Sequence, residues 1–185
     1  MNPFFAVSCG PKTGQRGAVL IMALMFLTLL TLLGVTAMTS STSEEKMARA
    51  TRDYNTAFQS AEAAMRDAES DINGNGPRNP PLTSIGSVFG VLPLGGCANG
   101  ACIPPAPLGT PVWEVAANWN NAATYAQYTF AQALPTSGPG AVGQAPQYLI
   151  EFIGTVGSQS AYRVTARGWG PNSVQTVTLQ EEVLK

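Results

Sequence analysis

Residues Ala18 to Met38 form a run of twenty-one residues without a charge, and from Ser43 onward the pattern changes to apolar positions recurring in steps of four and three. As a helix rising ~1.5 Å per residue the first run spans about 31 Å, enough to cross the hydrocarbon of a bilayer. In the second, Met47, Thr51, Tyr54, Phe58, Ala61, Met65, Ala68 and Ile72 fall on one stripe, so 43–72 is expected to be an amphipathic helix whose stripe needs a cover. No proline separates the two segments and Gly34 is the only glycine between them, so one helix over 18–72, about 82 Å long, is expected. Asn73-Gly74-Asn75-Gly76-Pro77 supplies its stop. A coiled-coil seam would be another use for the stripe. It is little over three heptads long, however, and Ala61 and Ala68 are small for a dimer seam, which favours packing on the chain's own sheet.

That sheet is expected at the C-terminal end. Gln147-Tyr-Leu-Ile-Glu-Phe-Ile153, Ala161-Tyr-Arg-Val-Thr-Ala-Arg167 and Ser173-Val-Gln-Thr-Val-Thr-Leu179 are β-branched and aromatic runs separated by turn residues. Short connections make them antiparallel neighbours. In the middle run Tyr162, Val164 and Ala166 alternate with Arg163, Thr165 and Arg167, predicting one dry and one wet face. The stripe covers the dry face, and the fold class is α+β, a long N-terminal helix on an antiparallel sheet. Between these ends, residues 79–150 are rich in Pro, Gly, Ala and Asn with Glu114 as the single charge. Trp113, Trp119, Tyr125, Tyr128 and Phe130 need burial there, so long ordered loops are expected, with short strands at 112–115 and 124–130.

Composition and charge then set the compartment. Lys12 and Arg16 precede the uncharged run, which puts the N-terminus in the cytoplasm and the body of the chain across the membrane. A secretory signal has a shorter apolar core and a cleavage site of small residues, whereas this run continues as helix into charged sequence. Ser8-Cys9 does not make a lipoprotein signal, because Met1 to Val7 has no basic residue and is too short for an apolar core. There is no histidine, which removes the usual general base and the commonest metal ligand. No cofactor is expected, no base stands ready to activate a Ser or Thr, and an enzyme is the least favoured class. Near-neutral charge without a basic cluster argues against nucleic acid as a partner. Cys97 and Cys102 fall in the exported part, where a bridge can persist, and the Asn-Gly between them favours a tight turn. A structural disulfide is expected over a redox-active pair, since the spacing is not Cys-x-x-Cys and no neighbouring base lowers a thiol pKa.

The leader ending in glycine, the long helix and the sheet resemble the type IV pilin superfamily, and within it the PilX-type minor pilins. Gln15-Arg-Gly-Ala18 before the Leu-rich run, Ser43-Glu-Glu-Lys-Met-Ala48 and Ala57-Phe-Gln-Ser-Ala-Glu-Ala63 carry the N-terminal likeness; Pro146-Gln-Tyr-Leu-Ile-Glu151 and Tyr162-Arg-Val-Thr-Ala-Arg-Gly168 carry the C-terminal one. The resemblance implies a leader of residues 1–17, a transmembrane and filament-core half over 18–42, an amphipathic half over 43–72, and an exported head over 73–185, loop-rich to 146 and stranded over 147–182. It implies cleavage after Gly17 and methylation of Ala18 by a prepilin peptidase. It also implies filament packing through Met22, Phe26, Leu30 and Leu33, and head packing through Met47, Tyr54, Phe58, Met65 and Ile72.

Most pilins of the superfamily carry a glutamate a few residues into the mature helix; here that place is Met22, and no acid precedes Glu44. This departure points away from a major subunit. The implied function is a minor pilin that initiates or caps a type IV pilus, with roles in adhesion and twitching motility. Its implied partners are other minor and major pilins, the prepilin peptidase, the assembly platform, the membrane before assembly, and a tip adhesin. It would sit in the inner membrane and then in the pilus, at or near the tip. Rivals are a type II secretion minor pseudopilin, which shares every N-terminal feature, and a membrane-anchored adhesive module that never enters a filament.

Overall fold

The computed structural model describes residues 16–79, 81–82, 89–138 and 140–185. Residues 1–15, Cys9 and most of the expected leader 1–17 among them, lie outside the described residues. The chain divides into two compact units between Ala48 and Arg49.

Helix α1 runs over Arg16–Ile72. In the first unit every side chain from Gly17 to Ala48 is exposed. The threonines of this half turn their hydroxyls inward: Thr28 donates to the Met25 carbonyl at 2.8 Å, Thr31 to Thr28, Thr36 to Leu32 and Leu33, Thr39 to Val35 and Thr36, and Thr42 to Thr39. Each of these hydroxyls is thereby satisfied within the helix, which is the condition for residing in hydrocarbon.

In the second unit α1 ends where glycine and asparagine direct. Asn75 N–H donates to the Ser70 carbonyl and Gly74 N–H to that of Asp71, with Gly74 at φ 70°, the Schellman arrangement that occupies the last helical carbonyls. Lys185 Nζ donates to the Ile72 carbonyl at 2.7 Å.

Downstream lie a 3-10 turn Phe89–Val91, the short strands β1 Cys97–Ala98 and β2 Ala101–Cys102, the one-turn helix α2 Ala116–Trp119, β3 Ala123–Thr124, and the long strands β4 Gln147–Val156, β5 Gln159–Trp169 and β6 Thr176–Leu184. The sheet runs β1-β2-β4-β5-β6, with β3 also pairing on β4. It is mixed: β2 is parallel to β4 and the remaining pairs are antiparallel. Gly157, at φ 64°, makes the two-residue β4–β5 turn, where positive φ matches the strand twist.

One sheet face receives α1. Ala64, Met65, Ala68 and Ile72 pack on Tyr148, Ile150, Tyr162, Val164 and Ala166, with Leu82 and Phe89 closing the end. Further along, Ala57 and Ala61 pack on Val177.

Several expectations change. Met47, Tyr54 and Phe58 are 67, 48 and 37% exposed and do not line the packed face. The residues that do are mainly small, Ala57, Ala61, Ala64 and Ala68, because α1 approaches β5 so closely that larger side chains are turned outward. Residues 112–115 make no strand. Glu114 N–H bonds back to Pro111 and the chain enters α2, and Trp113 finds its apolar contacts against the sheet face opposite α1 without joining a ladder. Of 124–130 only Thr124 is in a strand, because the Asp67 carboxylate captures the Ala126 N–H and the Thr129 hydroxyl and curls the segment into a turn. The third long strand starts at Thr176, three residues later than expected, since Ser173 adopts φ 56° in the turn closed by Gly170 N–H to the Gln175 carbonyl.

The face expected to be wet is covered as well. Trp113, Trp119, Val112 and the Cys97–Cys102 hairpin cluster with Leu149 on it. Arg167 stacks 3.8 Å from the centre of the Trp119 ring, which is how a charged strand position accepts an aromatic lid.

Cys97 and Cys102 are bridged. Closing so short a loop removes little chain entropy, so reduction is expected to lower head stability by about 2 kcal/mol. Urea midpoints with and without reductant check this.

Candidate functional site

The surface with the clearest demand for a partner is the uncharged half of α1. Fourteen large apolar side chains between Val19 and Met38, Met22, Phe26, Leu30 and Leu33 among them, are 55–74% exposed. At about 1.5–3 kcal/mol for burying each, leaving them in water forgoes on the order of 20 kcal/mol or more. No domain of this size tolerates that, so lipid or like helices must enclose the segment. By length and composition α1 is the one described helix able to cross a membrane. Gly17 and Ala18 lie in its first turn. Among the described residues nothing lies within 4 Å of a Cβ built on Gly17.

At the other end of α1 a polar hub ties the helix to the loops. Arg78 donates from Nε to Asp71 Oδ1 at 2.7 Å and from Nη2 to Oδ2 at 2.5 Å, and both side chains are almost wholly buried. Its Nη1 donates to the Asn99 carbonyl in the disulfide hairpin at 2.9 Å, and its guanidinium lies 3.8 Å from the Tyr128 ring centre. Tyr148 Oη donates to Asp71 Oδ2 at 3.0 Å. Burial, with the Asp71 and Asp67 carboxylates beside it, pushes the Tyr148 hydroxyl well above the usual phenol range, so it remains a donor. One turn earlier Asp67 accepts from Ala126 N–H at 2.8 Å and from the Thr129 hydroxyl. Burial raises its carboxyl against those two hydrogen bonds, and Asp71 adds to the rise. These contacts hold the loop segment in one shape on the helix end. Sequence reasoning missed the hub: a basic residue, Arg78, just past a helix stop was the only signal available.

Glu151 is the other residue the sequence did not flag. It is fully buried on β4 among the Trp-lined cluster, and neither carboxylate oxygen has a hydrogen-bond partner. Arg163, opposite it in register, donates instead to Glu182 at 3.1 Å. Burial raises the Glu151 carboxyl and Arg163 only moderates this. The folded state therefore holds the proton more tightly than the unfolded chain. Its stability benefit is complete below the ordinary carboxylate range and is lost as pH rises through the raised value. Glu151→Gln is expected to gain about 1 kcal/mol or more at pH 7 and to flatten the stability–pH profile, leaving the Asp67 slope, which has the same sign. Urea unfolding from pH 4 to 8 checks this.

Among the described residues no group of three or more His, Cys, Asp or Glu is placed to hold a metal. Among the described residues, open grooves run along α1 in the head.

Comparison with known proteins bears on the N-terminal part. Residues 16–66 match the family model described as PilX N-terminal, a segment that lies wholly within α1. No curated protein matches, and no solved structure matches. The match supports a PilX-type pilin, and it suggests a minor pilin of a type IV pilus.

Proposed function

We propose that this chain, PilX-like over residues 16–66, is a non-catalytic minor pilin that takes part in initiating or capping a type IV pilus. The observation that carries it is the exposed, uncharged run of helix from Ala18 to Met38 lying inside the matched segment. Such a surface is as well accommodated among like helices as in lipid, so a subunit passes from one to the other at little cost. The bond between Gly17 and Ala18 is the peptidase site, the new amine is methylated, and Met22, Phe26, Leu30 and Leu33 face neighbouring helices in the filament core. Before assembly the chain is single-pass in the inner membrane with its head in the periplasm. Its partners are the sibling pilins, the peptidase, the assembly platform and a tip adhesin.

Met22 supports a place at or near the tip. In a filament core a buried amine is costly unless an acid neutralises it, and the superfamily's glutamate meets the amine of the subunit docked above. A subunit with nothing above it has no amine to meet, and there a buried glutamate is a liability.

N-terminal sequencing of the membrane-extracted protein should give Ala18, and a bulky substitution at Gly17 should leave precursor without harming the fold, since that position is open. Gold label on an epitope in the exposed stretch 106–110 should decorate filament ends. A start at Met1 overturns the pilin reading, and even labelling along the shaft overturns the tip position.

A further inference from the structure

Beside α1 the head carries a groove of about 530 Å3. Met65 and Leu179 form its floor; Glu62, Arg66, Glu69 and Glu181 form its rim. Strand β6 turns Val177, Leu179 and Val183 toward the helix, where they join the core. By strand alternation the remaining position on that face is Glu181, a carboxylate where the pattern calls for an apolar side chain. Its register partner, Val164, is fully buried. Arg66 lies 3.6 Å from Glu62, and among the described residues neither Glu69 nor Glu181 has an ion-pair partner. Three acids thus share one base.

Among the described residues strand β6 is also the end of the sheet order. One row of its main-chain N–H and C=O groups points away from β5, ready to pair with another chain. An inward charge on an edge strand discourages self-pairing. A second copy would bring the same acidic edge and is repelled, whereas a basic strand is attracted.

We propose that β6 and this groove accept an extended, lysine- or arginine-bearing peptide segment as an added strand. Its main chain pairs with β6 and its basic side chains reach Glu181, Glu69 and Glu62 across the Met65–Leu179 floor. Two independent features select the same ligand: the open edge requires extended backbone, and the unpaired carboxylates require positive charge.

The test uses the full chain in detergent micelles, empty micelles as blank, and two fluorescein-labelled heptapeptides, one alternating Thr and Lys, the other Thr and Glu. The lysine peptide should bind saturably, weaken with added salt, and slow hydrogen exchange at β6 amides, while the glutamate peptide should not bind. Glu69→Gln with Glu181→Gln should weaken binding roughly tenfold. Glu182→Gln, on the opposite face and paired with Arg163, should leave it unchanged. Absence of saturable binding overturns the proposal. So do insensitivity to the paired substitution, an equal loss with Glu182→Gln, and binding without protection of β6. None of these outcomes depends on whether the chain enters a filament.

Discussion

Replacing Arg78 with Ala is expected to lower the stability of the head by about 3–5 kcal/mol, the largest effect of any single substitution considered for this chain. The reason is what it leaves behind. Asp71 is inaccessible to water and loses both guanidinium hydrogen bonds, keeping only Tyr148 as donor. The Asn99 carbonyl loses its donor, and the Tyr128 ring loses the cation that covers it. Helix end, disulfide hairpin and the Tyr128 loop are all joined through this one side chain, so the disulfide hairpin should loosen along with the helix terminus. The double substitution Asp71→Asn with Arg78→Met should recover at least half of the loss, because no uncompensated charge remains and an amide still accepts from Tyr148. All three tryptophans, Trp113, Trp119 and Trp169, lie in the head, so urea unfolding followed by tryptophan fluorescence reports on it alone. A double variant no better than Arg78→Ala would show that the hub acts through shape and not charge.

Gly168→Ala is expected to cost about 3 kcal/mol and lower the melting temperature of the head by roughly 10 °C. A Cβ on Gly168 would lie 2.3 Å from the Ala61 nitrogen and 2.4 Å from the Ala57 carbonyl oxygen, both backbone atoms of α1. Backbone cannot rotate aside as a side chain can, so helix and strand must separate. Separation also breaks the hydrogen bond from the Ser60 hydroxyl to the Trp169 carbonyl, 3.2 Å long. Gly90→Ala is the matched control: a Cβ there meets nothing within 4 Å, and the variant should melt within about 1 °C of the parent. Equal melting of the two variants would mean that α1 does not press on β5 as described.

These two positions mark the boundary of what the sequence could tell. Element types were legible wherever a period was long. The uncharged run and the four-three stripe predict a single helix, and the three β-branched runs predict the long strands; each appears, because secondary structure over ten or more residues follows from local periodicity. The disulfide was legible from spacing and compartment. The helix stop was legible from glycine and asparagine chemistry, which acts within a few residues.

The packing face was legible over the C-terminal half of the stripe, where Ala61, Met65, Ala68 and Ile72 are all buried, and tertiary structure decided where along the stripe that packing stops. Hydrophobic pattern gives as much weight to Met47, Tyr54 and Phe58, yet these stay exposed and the contact is made by Ala57, Ala61, Ala64 and Ala68 together with Met65 and Ile72, because a close approach selects for small volume and no local pattern encodes the distance between two elements. It also decided that the arginine face of β5 is roofed by Trp113 and Trp119, residues more than forty positions away in sequence. The pairing of Asp71 with Arg78, the isolation of Glu151 and the charge imbalance around Glu181 are likewise products of the fold. A carboxylate reads the same in sequence whether it meets water, a cation or nothing, and only packing determines its surroundings and hence its energy.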